Sequence, residues 1–177
     1  MNKKSLYRIS RCGLFAAIIC VCAFINIPVG AVPVSMALLA VMLSGIVLSP
    51  VEATVSSVVY ILIGAIGIPV FSAGGAGFGV LLGPTGGYLW SYPLLALIVS
   101  LFCLIPAKNR WIKYVFAFLG CVIGTALCYV CGTLQYMYVC DTSFTTAVIT
   151  CIFPFIPFDV LKIIFACVVG IPLKKRI

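Results

Sequence analysis

Apolar residues run through the chain in long blocks, and the polar residues gather in short gaps between them. Six blocks read as membrane-spanning helices, at residues 11–27, 34–48, 51–68, 84–105, 111–139 and 157–173. A helix crossing a hydrocarbon core about 30 Å thick needs about 20 largely apolar residues. Several blocks fall short of that. The fifth exceeds it, and is expected to continue past the membrane or to bend near Gly132.

Proline and glycine punctuate the gaps. Ile27-Pro28-Val29 follows the first block and Ile68-Pro69-Val70 the third, and GFGVLLGPTGGYLW then runs from Gly77 to Trp90. Both residue types are poor helix formers, so the backbone is expected to break between the third and fourth helices. Pro84 suits the first position of the helix that follows. The broken stretch has hardly any polar side chain, so it must lie against the bilayer surface, the helix bundle or a ligand. Irregular backbone at membrane depth is tolerated where it is packed in protein or lines a cavity. Residues 71–88 are therefore expected either to wall a pocket or to pack as a re-entrant loop.

Composition supports this pattern. The chain is 64% hydrophobic and 8% charged, against about 25% charged in a soluble domain. The expected class is an all-α integral membrane protein, a single six-helix unit over residues 1–177. The net charge of +8 is not spread as a nucleic-acid-binding surface. Ten of the 11 basic residues fall in three clusters: Lys3, Lys4, Arg8 and Arg11; Lys108, Arg110 and Lys113; Lys174, Lys175 and Arg176. Positively charged flanks stay on the cytoplasmic side. Six spans with both termini inside satisfy all three clusters, with SPVE between the second and third spans as the weakest inner loop. The glycine-rich segment then lies outside. The basic start, MNKKSLYRISR, is read as the inner flank of the first span rather than a signal peptide.

The chain has 10 cysteines and no histidine. Nine cysteines lie in apolar runs, where a free thiol acts as a small hydrophobe; only Cys140 sits at an expected loop. Cys128 and Cys131 have C-x-x-C spacing, but nothing completes a metal site. The informative polar residues are Asp159 and Lys162, ionisable and well inside the last span. Three apart, they share one helix face. Lys162 precedes Lys174 by twelve residues, which is about 18 Å of helix and places the pair in the outer half of the bilayer. An ionisable residue there is a functional candidate. Mutual neutralisation beside Pro157 is the simpler alternative. A ligand for the pair would offer donors to Asp159 and an anionic group to Lys162. Phe71, Phe78, Tyr88, Trp90 and Phe158 would favour an otherwise apolar small molecule. In the first span Gly13 with Ala17, and Ala16 with Cys20, are small residues four apart, suited to close helix packing within the chain or with a partner. No P-loop is present, so the chain does not itself hydrolyse ATP. Paired acids, a His-Glu metal motif and an activated nucleophile are absent from the sequence, which argues against an intramembrane enzyme.

Two stretches, IPVFSAGGAGFGVLLGPTGGYLW (68–90) and FIPFDVLK (155–162), resemble the BioY family, the biotin-binding S components of energy-coupling factor vitamin transporters. The resemblance runs through nearly the whole chain. It implies a six-helix protein that captures biotin near its outer face, needs no cofactor, and docks on a transmembrane coupling protein with two cytoplasmic ATPase subunits that use ATP. In that mechanism the S component topples in the bilayer to carry its site inward. Asp159 and Lys162 would meet polar groups of biotin, and Phe71, Gly74, Gly75, Phe78, Gly83, Thr85, Gly86 and Tyr88 would cover it. The docking face would fall on Ala16 and Cys20, with Gly13 and Ala17 nearby. The chain departs from the family's usual pattern at Ala37, where Gln is common, and at Phe158, where Gly is common. An S component for another vitamin, such as riboflavin or thiamine, and a structural subunit without ligand are the competing readings.

Overall fold

The computed structural model describes residues 3–27, 33–106 and 109–175. Pro28, Val29, Lys108 and Arg176, named above, lie outside the described residues. The helices are α1 (Lys3–Phe24), α2 (Ala37–Val47), α3 (Pro50–Ala65), α4 (Phe78–Leu81), α5 (Gly86–Phe102), α6 (Arg110–Cys140), α7 (Phe144–Cys151) and α8 (Ile156–Lys174). A short antiparallel pairing of Asn26–Ile27 (β1) with Val34–Ser35 (β2) joins α1 to α2.

Among the described residues, three helices are long and apolar enough to cross a membrane: α1, α6 and α8. Helices α2, α3 and α5 are apolar but shorter. With 11 residues, α2 is about 16 Å long. It is buried on nearly every side because it sits at the centre, packed on α1, α3, α5 and α8. A helix that is apolar all round needs such surroundings. Helix α5 lies along α6, the most extensive pairing in the molecule.

In lipid, helices associate through close packing, which small residues permit. Glycines mark the seams here. A Cβ on Gly45 of α2 would come within 2.8 Å of Val99 on α5, and one on Gly170 of α8 within 2.9 Å of Ile46 on α2. Gly120 and Gly124 of α6 likewise face Phe102 and Leu95 of α5.

The structure changes several boundaries. Helix α6 runs unbroken through Gly132, to 31 residues or about 46 Å, and so extends past a bilayer core. Gly132 does not end a helix; it makes room for the ring of Tyr88. The helix stops at Asp141, which takes a left-handed conformation at φ 48°. Helix α7 follows, started by Ser143, whose Oγ accepts the Thr146 N–H. No hydrophobic block of spanning length signals α7. Pro84 is not the first residue of a helix either, since Thr85 is the N-cap and Gly86 begins α5.

The start of α3 is tied to α1 by a contact that the linear charge pattern does not show. Glu52, three residues into α3, is buried and accepts the Ser49 N–H at 3.1 Å. Arg8 of α1 places its Nε 3.3 Å from the same carboxylate. The SPVE connection, without a basic residue of its own, thus shares one from α1.

Candidate functional site

The broken stretch after α3 has a definite path. Gly67 and Gly77 both have positive φ, 101° and 79°, which glycine adopts without strain. Both turn their N–H groups onto the Gly64 carbonyl, at 3.1 and 2.7 Å. Between them Phe71 drops into the slot left by the missing side chain of Gly64 and meets Tyr60 edge-on, with ring centroids 5.6 Å apart. The segment is therefore pinned to α3 by its own aromatic residue. Further along, Gln135 of α6 donates to the carbonyls of Leu81 and Gly83, both at 2.8 Å. Trp90 Nε1 donates to Leu81 O at 3.1 Å. These bonds satisfy carbonyls that the helix break has freed.

Asp159 and Lys162 lie on the first two turns of α8, both almost fully buried. Lys162 Nζ is 2.8 Å from Asp159 Oδ1 and donates to the Ser35 carbonyl at 2.9 Å. Tyr129 of α6 donates its hydroxyl to Asp159 Oδ2 at 2.6 Å. Ser35 Oγ accepts the Ala37 N–H at 3.1 Å, which holds the turn that offers Lys162 its carbonyl. Each carboxylate oxygen and the ammonium thus have a near partner, as buried charges require. Lysine keeps a further N–H, and each carboxylate oxygen can accept more than one hydrogen bond. The network can therefore still exchange hydrogen bonds with a polar ligand.

These groups face a narrow cavity of about 50 Å³. Its polar wall is Asp159, Lys162, Tyr129 and Ser35, and its apolar wall includes Leu38, Tyr88, Tyr92 and Phe155. Ser72 and Thr85 border it from the glycine-rich side. Tyr88 is held by a 3.0 Å bond from its hydroxyl to the Cys151 carbonyl and stacks on Phe155 at 6.3 Å between centroids. Helix α7 thereby orients one wall of the cavity.

Of the residues expected from sequence, Thr85, Tyr88, Asp159 and Lys162 come together around this cavity. Phe71 does not line it; its ring is buried against Gly64 and Tyr60. Phe78 points outward and is 64% exposed. Gly74, Gly75, Gly83 and Gly86 do not line it either. Gly86 is pressed against the Leu81 carbonyl and Gln135, so its role is packing. Tyr92, Tyr129 and Phe155 are lining residues that the linear sequence did not single out. A buried tyrosine needs a hydroxyl partner, which is a signal in principle, but four tyrosines in α6 compete for it.

On α1, the two small-residue pairs point in different directions. Ala16 is buried within the bundle and Cys20 packs against the core, while Gly13 and Ala17 are exposed. All 10 cysteines are free thiols.

The BioY family model matches residues 1–177. The biotin transporter BioY2 of Lactococcus lactis is 35% identical over 177 residues, 100% of this chain and 95% of that protein. The biotin transporter BioY of Thermotoga maritima is 36% identical over 166 residues, 93% of this chain and 94% of that protein. The crystal structure of the S-component for biotin from an ECF-type ABC transporter shares the fold, with a TM-score of 0.87 at 24% identity, covering 99% of this chain and 94% of that one. The all-helical bundle, its apolar helices and this match along the whole sequence make one conclusion: the chain is a membrane protein that belongs to the BioY family.

Proposed function

We propose that this chain is the substrate-binding subunit of an ATP-driven vitamin uptake system, and that its substrate is biotin. The observation that carries the reading is the buried Asp159–Lys162 pair, held by Tyr129 and the Ser35 carbonyl against an aromatic-walled cavity. Biotin offers two ureido N–H donors, a ureido oxygen, an apolar thioether ring and a carboxylate. Asp159 accepts ureido N–H groups in this reading, and Lys162 serves the ureido oxygen or the carboxylate. Charge-assisted bonds of this kind are about twice as strong as neutral ones. Ala37 and Phe158, where the chain departs from the family's usual pattern, do not line the cavity, which favours an unchanged ligand. The cavity is narrower than the roughly 300–1,000 Å³ of small-molecule pockets, so biotin enters as its walls part.

Helices α1, α2, α3, α5, α6 and α8 are the six spans in this reading. The Lys- and Arg-bearing ends face the cytoplasm, and the site opens to the outside of a bacterial cytoplasmic membrane. Residues 1–177 form one unit. Its partners are a transmembrane coupling protein and two ATPase subunits, which supply the energy this chain does not. The exposed Gly13–Ala17 side of α1 is the part of the small-residue stripe open to the coupling protein, since Ala16 is already covered.

Calorimetry on the detergent-purified chain tests the ligand. Tight binding of one biotin per chain is expected. A folded chain that ignores biotin but binds another vitamin would overturn the assignment.

A further inference from the structure

We infer that the end of the bundle opposite the Asp159–Lys162 site holds a binding site for one anionic phospholipid. Four helix ends meet there: the last turns of α2, α5 and α8 and the first turns of α6. They enclose a cavity of about 340 Å³. Its floor is apolar, from Ile46, Phe102, Phe116 and Ile171, and its rim is cationic, from Lys113, Lys174 and Lys175. A second hollow shares Ile171 and Lys175 and adds Arg110, Tyr114 and Pro172. Among the described residues no carboxylate lines either hollow.

The rim is ordered in part by the fold itself. Lys174 Nζ donates to the Cys103 carbonyl at 3.2 Å, which closes the end of α5 and leaves the ammonium further donors. Arg110 lies over the Tyr114 ring, 5.9 Å from its centroid, and its guanidinium donates to the Tyr114 hydroxyl. Trp111 beside them is 76% exposed. Tryptophan and tyrosine favour the membrane–water boundary.

A third feature points to a lipid rather than a free anion. From Tyr114 an apolar groove of about 360 Å³ runs between α6 and α8, past Val115, Phe118, Ile164 and Val168. In both helices these residues lead away from the basic end toward the middle of the bundle. A phosphodiester on the cationic rim would lay an acyl chain along this groove. Inorganic phosphate would match the rim and leave the groove uncovered. A neutral lipid would fill the groove and leave the cations without counter-charge. Basic pockets at the inner membrane face suit such headgroups. The assignment to the inner leaflet rests on the orientation proposed above; the site itself does not.

The test uses the full chain in detergent and native mass spectrometry. Phosphatidylglycerol and phosphatidylcholine with identical acyl chains are offered in equal amounts. One phosphatidylglycerol should be retained in preference. The double variant Lys113→Gln/Lys175→Gln should lower that preference by about tenfold, and Val168→Trp should reduce retention of both lipids by filling the groove. Equal retention of the two lipids by the wild type would overturn the proposal. So would an unchanged preference in the double variant; loss of module-driven uptake alongside it would point instead to an acidic protein partner. Full displacement by an equal concentration of inorganic phosphate would mean a simple anion site. Biotin calorimetry on the same variants should match wild type, because the two sites lie at opposite ends. Lipid selectivity without biotin binding in the wild type would sink the biotin assignment and leave this one standing.

Discussion

Asp159 and Lys162 are three residues apart on α8, yet what stabilises them comes from elsewhere: Tyr129 from α6 and a carbonyl from the turn before α2. Removing either charge leaves its partner buried and unpaired, which is costly. Asp159→Asn and Lys162→Met should each weaken biotin binding at least tenfold, about 1.4 kcal/mol. Calorimetry checks this on protein that still elutes as a folded species. Tyr129→Phe removes one hydrogen bond to a charged oxygen and leaves the ring in place. It should cost about 1.5–3 kcal/mol of combined stability and binding, less in binding than Asp159→Asn. Equal affinity in Tyr129→Phe and wild type would remove Tyr129 from the site.

At the scale of elements, Gly87 and Gly132 set how closely α5 approaches α6. Gly87 abuts the Cys131 carbonyl on α6, and Gly132 faces the Tyr88 ring. A side chain at either position would push α5 off α6 and move the cavity wall. Gly79, in the short helix α4, has nothing within 4 Å of a Cβ. Gly87→Ala should therefore destabilise the protein by about 1–3 kcal/mol, whereas Gly79→Ala should be neutral or slightly stabilising, since alanine is the better helix former. Thermal unfolding in detergent distinguishes the two. The sequence showed where the helix had to break, because Gly and Pro carry that information locally. It did not show that Phe71 turns into the bundle, because the slot that receives it belongs to Gly64, seven residues earlier in α3.

On the scale of the whole molecule, the two proposed sites lie at opposite ends of the bundle. The polar cavity sits near the start of α8 and the basic rim at its end, about 22 Å apart along the helix. The side of α1 exposed to its surroundings includes Gly13 and Ala17. Bulky residues at Gly13 or Ala17 should spare biotin binding and reduce uptake through the coupling module at least tenfold. A bulky residue at Ala16 should instead lower the stability of the isolated chain, because Ala16 is 2% exposed. Uptake assays in cells, paired with calorimetry on the purified variants, separate these outcomes. Unchanged uptake in Gly13→Trp and Ala17→Trp would move the docking face off α1.

The family, the membrane setting and the buried Asp159–Lys162 pair were legible in the linear chain. Long apolar blocks are selected by the bilayer's thickness, basic flanks by its charge asymmetry, and a carboxylate beside a lysine within a span by the cost of burying charge. These constraints act on neighbours in sequence. The remaining features required the fold. Tyr129 among the tyrosines of α6, the covered Ala16 beside the open Ala17, the Arg8–Glu52 tie, and helix α7 against Tyr88 all depend on which faces meet. Helix rotation and pairing are set by side-chain packing across distant segments, and that information exists only once the helices are assembled.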